Sequence, residues 1–202
     1  MIYVILAAIA AYFLGAIPTG YIFGRVLKNI DIREHGSGNV GATNVFRTVG
    51  KVPGIIVLAI DVLKGFLAVT VLPLCVKTIF PDVLLPAYTY ILLGVSVIAG
   101  HIWTVFLKFK GGKGVATTAG VMAGLAPLIL AGSFLVWVVV FAIWRYVSLA
   151  SICAATALPI FAVISGRDLS FVIFCAVLCL VGVYSHRSNI LRLIRGKEKK
   201  LL

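Results

Sequence analysis

The feature that most limits how this chain can fold is a series of six long apolar runs, at residues 2–23, 53–76, 87–107, 115–144, 147–165 and 169–184. A helix needs about 17–25 mostly apolar residues to cross the hydrocarbon of a bilayer. Only helices and closed barrels satisfy their backbone polar groups there. With 62% hydrophobic residues, 12% charged residues and a mean hydropathy of +1.16, the chain is neither an ordinary soluble domain nor a disordered one. The first run carries no charge and no basic leader precedes it. A polar motif follows directly, so the run reads as a permanent span and not as a cleaved signal.

The run at 115–144 has 30 residues, more than one ordinary crossing needs. It contains Gly124-Leu125-Ala126-Pro127, and a proline breaks or kinks a helix. Basic residues concentrate in cytoplasmic loops, so charge can choose between one crossing and two. With two, fifteen of the 18 Lys and Arg residues fall on one side, against Lys77 and Arg167 opposite, while Lys64 lies within a span. With one, the division is nine against eight. The stronger bias predicts an all-α integral membrane protein of seven transmembrane helices, the fourth and fifth short and joined at the Gly/Pro break. It puts the N-terminus outside and the C-terminus in the cytoplasm. No internal repeat and no composition shift marks a second domain, so residues 1–202 read as one membrane-embedded domain.

Two glycine-rich segments lie on the basic face. The first, DIREHGSGNVGATNVFR at 31–47, has Gly36, Gly38 and Gly41 interleaved with Ser37, Asn39, Thr43 and Asn44. Glycines at this density suit a backbone whose N–H groups approach an anion closely. Arg47 follows, and its planar fork matches phosphate. The second, FKGGKGVAT at 109–117, places Gly111, Gly112 and Lys113 just before a helix; it lacks the spacing of a Walker A loop. Each has a plainer reading, as a flexible loop or as basic residues fixing topology. Together on one face they predict two anion sites.

A third set, His186 and Asn189, shares a helical face at i, i+3 within a basic terminal segment that would also sit on anionic lipid. Ser148 and Ser151 open a span one turn apart, and either bond backbone carbonyls or line a polar pocket. Inside the second span Asp61 and Lys64 read as an intramembrane pair, with Lys64 also able to reach a substrate. His101 reads as a packed polar residue. Cys75, Cys153, Cys175 and Cys179 read as small buried hydrophobes, and no Cys/His set has metal-ligand spacing. Neither metal nor cofactor is expected.

These blocks resemble the bacterial acyl-phosphate-dependent glycerol-3-phosphate acyltransferases, the PlsY family. The resemblance covers essentially the whole chain: GAIPTGY at 15–21, the block at 31–47, Lys64-Gly65, Gly100-His101, the block at 109–117, 146–151 and 186–193. It implies a seven-pass inner-membrane enzyme with a cytoplasmic active site. That enzyme transfers a fatty acyl group from acyl phosphate to the sn-1 hydroxyl of glycerol 3-phosphate, giving lysophosphatidic acid and phosphate. The resemblance assigns catalysis to Ser37, Arg47, Lys113, His186 and Asn189. It implies substrate binding by Gly38, Asn39, Gly41, Thr43, Asn44, Gly111, Gly112 and Ser151, and the reading of the spans adds Lys64 and Ser148. The family often carries Ser, Pro and Arg where this chain has Ala16, Thr104 and Ser185.

The chemistry implied fits the residues. Acyl phosphate brings its own good leaving group, and both substrates carry phosphate, so orientation and charge stabilisation suffice. No His has an acid at the His-x4-Asp spacing: Val40, Phe106 and Leu191 stand there instead. A strong protein base is not evident, and a substrate phosphate oxygen can take the proton. An anion transporter would put its polar groups near the midplane, commonly between inverted repeats; here they lie on one face. A non-catalytic lipid-binding scaffold would not need such polar loops. The net charge of +12 therefore points to phosphorylated substrates and anionic membrane lipid, not to nucleic acid.

Overall fold

A proline divides the first apolar run. In the computed structural model, which describes residues 2–201, α1 (Ile2–Ala16) stops before Ile17-Pro18 and α2 (Thr19–Lys28) begins after them. The sequence predicted one span ending at residue 23. Pro18 has no N–H to donate, and its ring disfavours helical backbone at Ile17. Helix then resumes through the polar residues up to Lys28, and Ile2–Lys28 is a 27-residue candidate span. All other regular structure among the described residues is also helical.

The chain forms two compact units, one up to Leu125 and one from Ala126. The first continues with α3 (Ala42–Thr48), α4 (Lys51–Ile79), α5 (Tyr88–Ile102) and α6 (Val115–Leu125). Lipid tails give apolar helices little hydrophobic reason to associate, so close backbone packing has to hold them. Glycines supply it. A Cβ at Gly15 or Gly100 would overlap the facing backbone of α5 or α1, and one at Gly65 or Gly120 the facing backbone of α6 or α4. Pro53 sits in the first turn of α4, where no donor is lost, and the helix continues past Pro73. Thr104, beyond α5, donates its hydroxyl to the Ala16 carbonyl at 2.6 Å and accepts from the Phe106 N–H at 3.3 Å. Two positions at which the chain departs from its resembled family are thus bonded to each other.

The second unit holds α7 (Pro127–Trp144), α8 (Val147–Ile164), α9 (Leu169–Ser185) and α10 (Arg187–Ile194). Short links make successive helices antiparallel neighbours. Arg145 turns the chain between α7 and α8 with φ +61°, and Gly166 between α8 and α9 with φ +63°. The Asp168 side chain caps α9 at the Phe171 N–H. The chain bends 57° between α9 and α10.

Pro127 stands at the start of α7, an 18-residue helix of ordinary spanning length, while α6 has 11 residues. The expectation that the fourth and fifth helices are both short is therefore corrected for the fifth. The proline lies before the middle of the 30-residue run and divides it unequally. By length and composition five helices can cross a membrane, or six with α9 and α10 taken as one bent span. The cysteine expectation is also corrected: Cys175 is buried, whereas Cys75 is exposed and the other two half-buried. In an apolar exterior, exposure costs a thiol little.

Candidate active site

In the first unit, the loop before α3 is built around one amide. Asn44 is 2% exposed, and its Oδ1 accepts the Ser37 N–H at 2.9 Å. Its Nδ2 donates to the carbonyls of Ile32, His35 and Asn39 at 3.2, 2.9 and 2.9 Å. The Asn39 side chain accepts the Gly41 N–H at 2.9 Å. Gly36 and Gly38 have φ +61° and +71°, which side chains rarely adopt, and a Cβ at Gly36 would overlap Asn44 Oδ1. Ser37 and Gly38 are exposed at the loop tip; Thr43 and Arg47 are half-buried on α3. The Asn44 amide is bonded throughout inside the loop and builds it.

Asp31 closes the base of this loop. It accepts from Arg33 Nε and Nη2 at 2.9 and 2.6 Å and from Arg25 Nη2 at 3.3 Å. Hydrogen bonds from the Arg33 side chain outweigh burial and hold the Asp31 carboxyl down at about 2. It stays ionised at any physiological pH and neutralises part of the local positive charge.

The second glycine-rich loop folds back on α5. Lys108 and Phe109 both adopt left-handed backbone, φ +53° and +62°, an uncommon conformation for two consecutive non-glycine residues. The Gly111 and Gly112 N–H groups donate to the Ile102 and His101 carbonyls at 2.9 and 3.0 Å. Gly112 is buried, and Lys113 follows half-buried, two residues before α6. Lys64 is 4% exposed, with Nζ 2.9 Å from Asp61 Oδ1 and 3.3 Å from the Ile17 carbonyl. The pairing with Asp61 is the one read from the sequence. The partners of Lys64 here, the Asp61 carboxylate and the Ile17 carbonyl, are both internal.

In the second unit, the terminal segment returns to the start of α8. The Leu201 N–H donates to the Arg145 carbonyl at 3.1 Å, and Lys200 Nζ lies 5.7 Å from the Tyr146 ring centre. This carries Glu198 into a polar cluster. Its Oε1 accepts from Ser148 Oγ at 2.8 Å and Asn189 Nδ2 at 2.6 Å; its Oε2 accepts from Arg192 Nε at 2.7 Å. Burial pushes the Glu198 carboxyl up, but the bonds from Asn189, Arg192 and Ser148 together hold it below its ordinary value. Ser151 donates to the Val147 carbonyl at 2.7 Å and accepts from Trp137 Nε1 at 3.2 Å. His186 is 3% exposed, and its Nδ1 meets the Gly182 carbonyl at 2.8 Å. A carbonyl only accepts, so Nδ1 carries a proton and donates in this bond.

The comparisons with known proteins decide the family. The family model described as glycerol-3-phosphate acyltransferase matches residues 5–196. The chain belongs to the glycerol-3-phosphate acyltransferase family. It is 46% identical over 197 residues to glycerol-3-phosphate acyltransferase 2 of Moorella thermoacetica, covering 98% of this chain and 97% of that one. To the glycerol-3-phosphate acyltransferase of Desulforudis audaxviator it is 45% identical over 197 residues, 98% and 95% of the two chains. The crystal structure of PlsY, an integral membrane glycerol 3-phosphate acyltransferase, in its glycerol 3-phosphate form matches with TM-score 0.87. That match has 40% identity and covers 98% of this chain and 94% of the other. The lysophosphatidic acid form matches at TM-score 0.84 and 39% identity, with the same coverage.

Against this acyltransferase family, the residue that sequence reasoning missed is Glu198. Residues 186–200 read as a basic segment for anionic lipid, and one acid among lysines drew no attention. Its only signal was being the sole carboxylate after Asp168.

Proposed function

We propose that this integral membrane acyltransferase moves a fatty acyl group from acyl phosphate to the sn-1 hydroxyl of glycerol 3-phosphate. The substrate hydroxyl oxygen bonds to the acyl carbon, the carbon–oxygen bond to phosphate breaks, and phosphate leaves with the electron pair. A phosphate oxygen of the substrate takes the hydroxyl proton, so the products are lysophosphatidic acid and inorganic phosphate. No cofactor or metal takes part. The reaction runs on the cytoplasmic side of the bacterial inner membrane, with seven crossings of one functional domain, 1–202, and the N-terminus outside.

The observation that carries this reading is that Arg47 and Lys113 each follow a glycine-rich loop whose backbone is fixed by hydrogen bonds, within the loop for the first and to the α5 carbonyls for the second. Cations held in place beside a reacting phosphate lower the barrier without reorganising during the reaction. Arg47 and Lys113 hold phosphate charge, with Ser37, Gly38, Asn39, Gly41 and Thr43 in the first loop and Gly111 and Gly112 in the second. His186 and Asn189 orient polar groups of the substrate, supported by Ser148 and Ser151.

The test is incubation of purified protein with acyl phosphate and glycerol 3-phosphate, without coenzyme A or acyl carrier protein. Stoichiometric phosphate and lysophosphatidic acid are expected. Absence of both would overturn the reading, and phosphate flux into proteoliposomes would replace it with transport.

A further inference from the structure

We infer that His101 is a positioning residue for the Gly111-Gly112-Lys113 loop, braced from behind by the buried Asp61–Lys64 pair. The inference rests on the reading that this loop takes a substrate phosphate. Asp61, Lys64 and His101 are 2%, 4% and 8% exposed. Burying charge is costly, and a well-packed apolar pair is often as stable as a buried ion pair. Intramembrane charge therefore points to a task beyond holding helices together.

The geometry supplies one. Asp61 Oδ1 takes the Thr19 hydroxyl at 3.1 Å, lies 2.9 Å from Lys64 Nζ and stands 3.8 Å from His101 Nδ1. Lys64 also bonds the Ile17 carbonyl at the proline break. The cluster thus links the α1–α2 break, α4 and α5. On the other edge of the same imidazole, Nε2 occupies the space a Cβ at residue 112 would need. The ring is wedged between a fixed carboxylate and the loop backbone, one residue before Lys113. The loop's two N–H bonds to the α5 carbonyls fix where it attaches, and the ring fixes how it tilts. Small displacements of a binding group cost large factors in rate or affinity.

The experiment compares wild type with His101→Ala, Gly112→Ala, their double variant and Asp61→Leu/Lys64→Met, reading Tm, kcat and KM for both substrates. Each single substitution should raise one KM about tenfold or more with kcat within about threefold. The double should be no worse than either single, because the alanine Cβ then enters the space the ring left. Asp61→Leu/Lys64→Met should keep Tm near wild type yet raise the same KM. A KM within about twofold of wild type in His101→Ala overturns the inference, as do single effects that multiply in the double. So does a charge-free pair whose KM is normal. If wild type turns over no acyl phosphate, the enzymatic reading has failed by itself. Calorimetric Kd values for glycerol 3-phosphate and inorganic phosphate in the same variants then decide this inference separately.

Discussion

The amide of Asn189 donates to Oε1 of Glu198 at 2.6 Å, and the same oxygen takes the Ser148 hydroxyl at 2.8 Å. One carboxylate therefore orients two side chains that the sequence placed in the active site. Glu198→Gln keeps the shape and removes the charge, and should cost about 1–3 kcal/mol at neutral pH. The folded carboxyl lies below its ordinary 4.5. Its contribution is therefore complete above that value and lost as pH falls through the lower folded one. Thermal unfolding in detergent should show the gap between variant and wild type closing below about pH 4.5. A gap independent of pH would contradict the assignment.

Asn44→Ala removes the acceptor for the Ser37 N–H and the donor to three carbonyls at once. Unfolding should fall by about 2–4 kcal/mol, as expected when buried polar groups lose partners. Proteolysis should then cut within residues 35–41 before it cuts elsewhere. Wild-type resistance of that loop in the variant would show that Asn44 does not organise it.

Arg47→Lys retains the positive charge and discards the planar fork. For bidentate phosphate recognition the loss in kcat/KM should be about 10- to 100-fold, with Tm nearly unchanged. Steady-state rates at saturating acyl phosphate measure it. Full activity in the lysine variant would reduce Arg47 to a point charge.

For His186→Ala, with a substrate phosphate as proton acceptor, kcat should fall about 100-fold while the pH–rate profile keeps its shape. Near-complete loss at every pH with substrate binding intact would instead make His186 the essential base.

Much of this molecule could be read from the chain because a bilayer imposes one simple demand, long apolar helices, and departures from it stand out. The Asp61–Lys64 pair was legible for that reason: two charges at i, i+3 in hydrocarbon have few partners but each other. The loop glycines were legible because three in six residues, 36–41, need a backbone reason. The break at Pro18 was available in GAIPTGY but lay hidden under continuous apolarity. Non-local contacts were beyond reach. Nothing in the sequence neighbours of Asn44 says that the chain wraps around its amide. Thr104 and Ala16 are 88 residues apart, and their bond needs α5 beside α1.

The fold-back that brings Glu198 to Ser148 has a bearing on biogenesis. The two residues are 50 positions apart. At roughly 5–20 residues per second, a nascent chain exposes the start of α8 for about 3–10 s before its carboxylate partner leaves the ribosome. Until then Ser148 and Asn189 lack the group that orients them. The second polar cluster is thus assembled only after α9 and α10 have been translated.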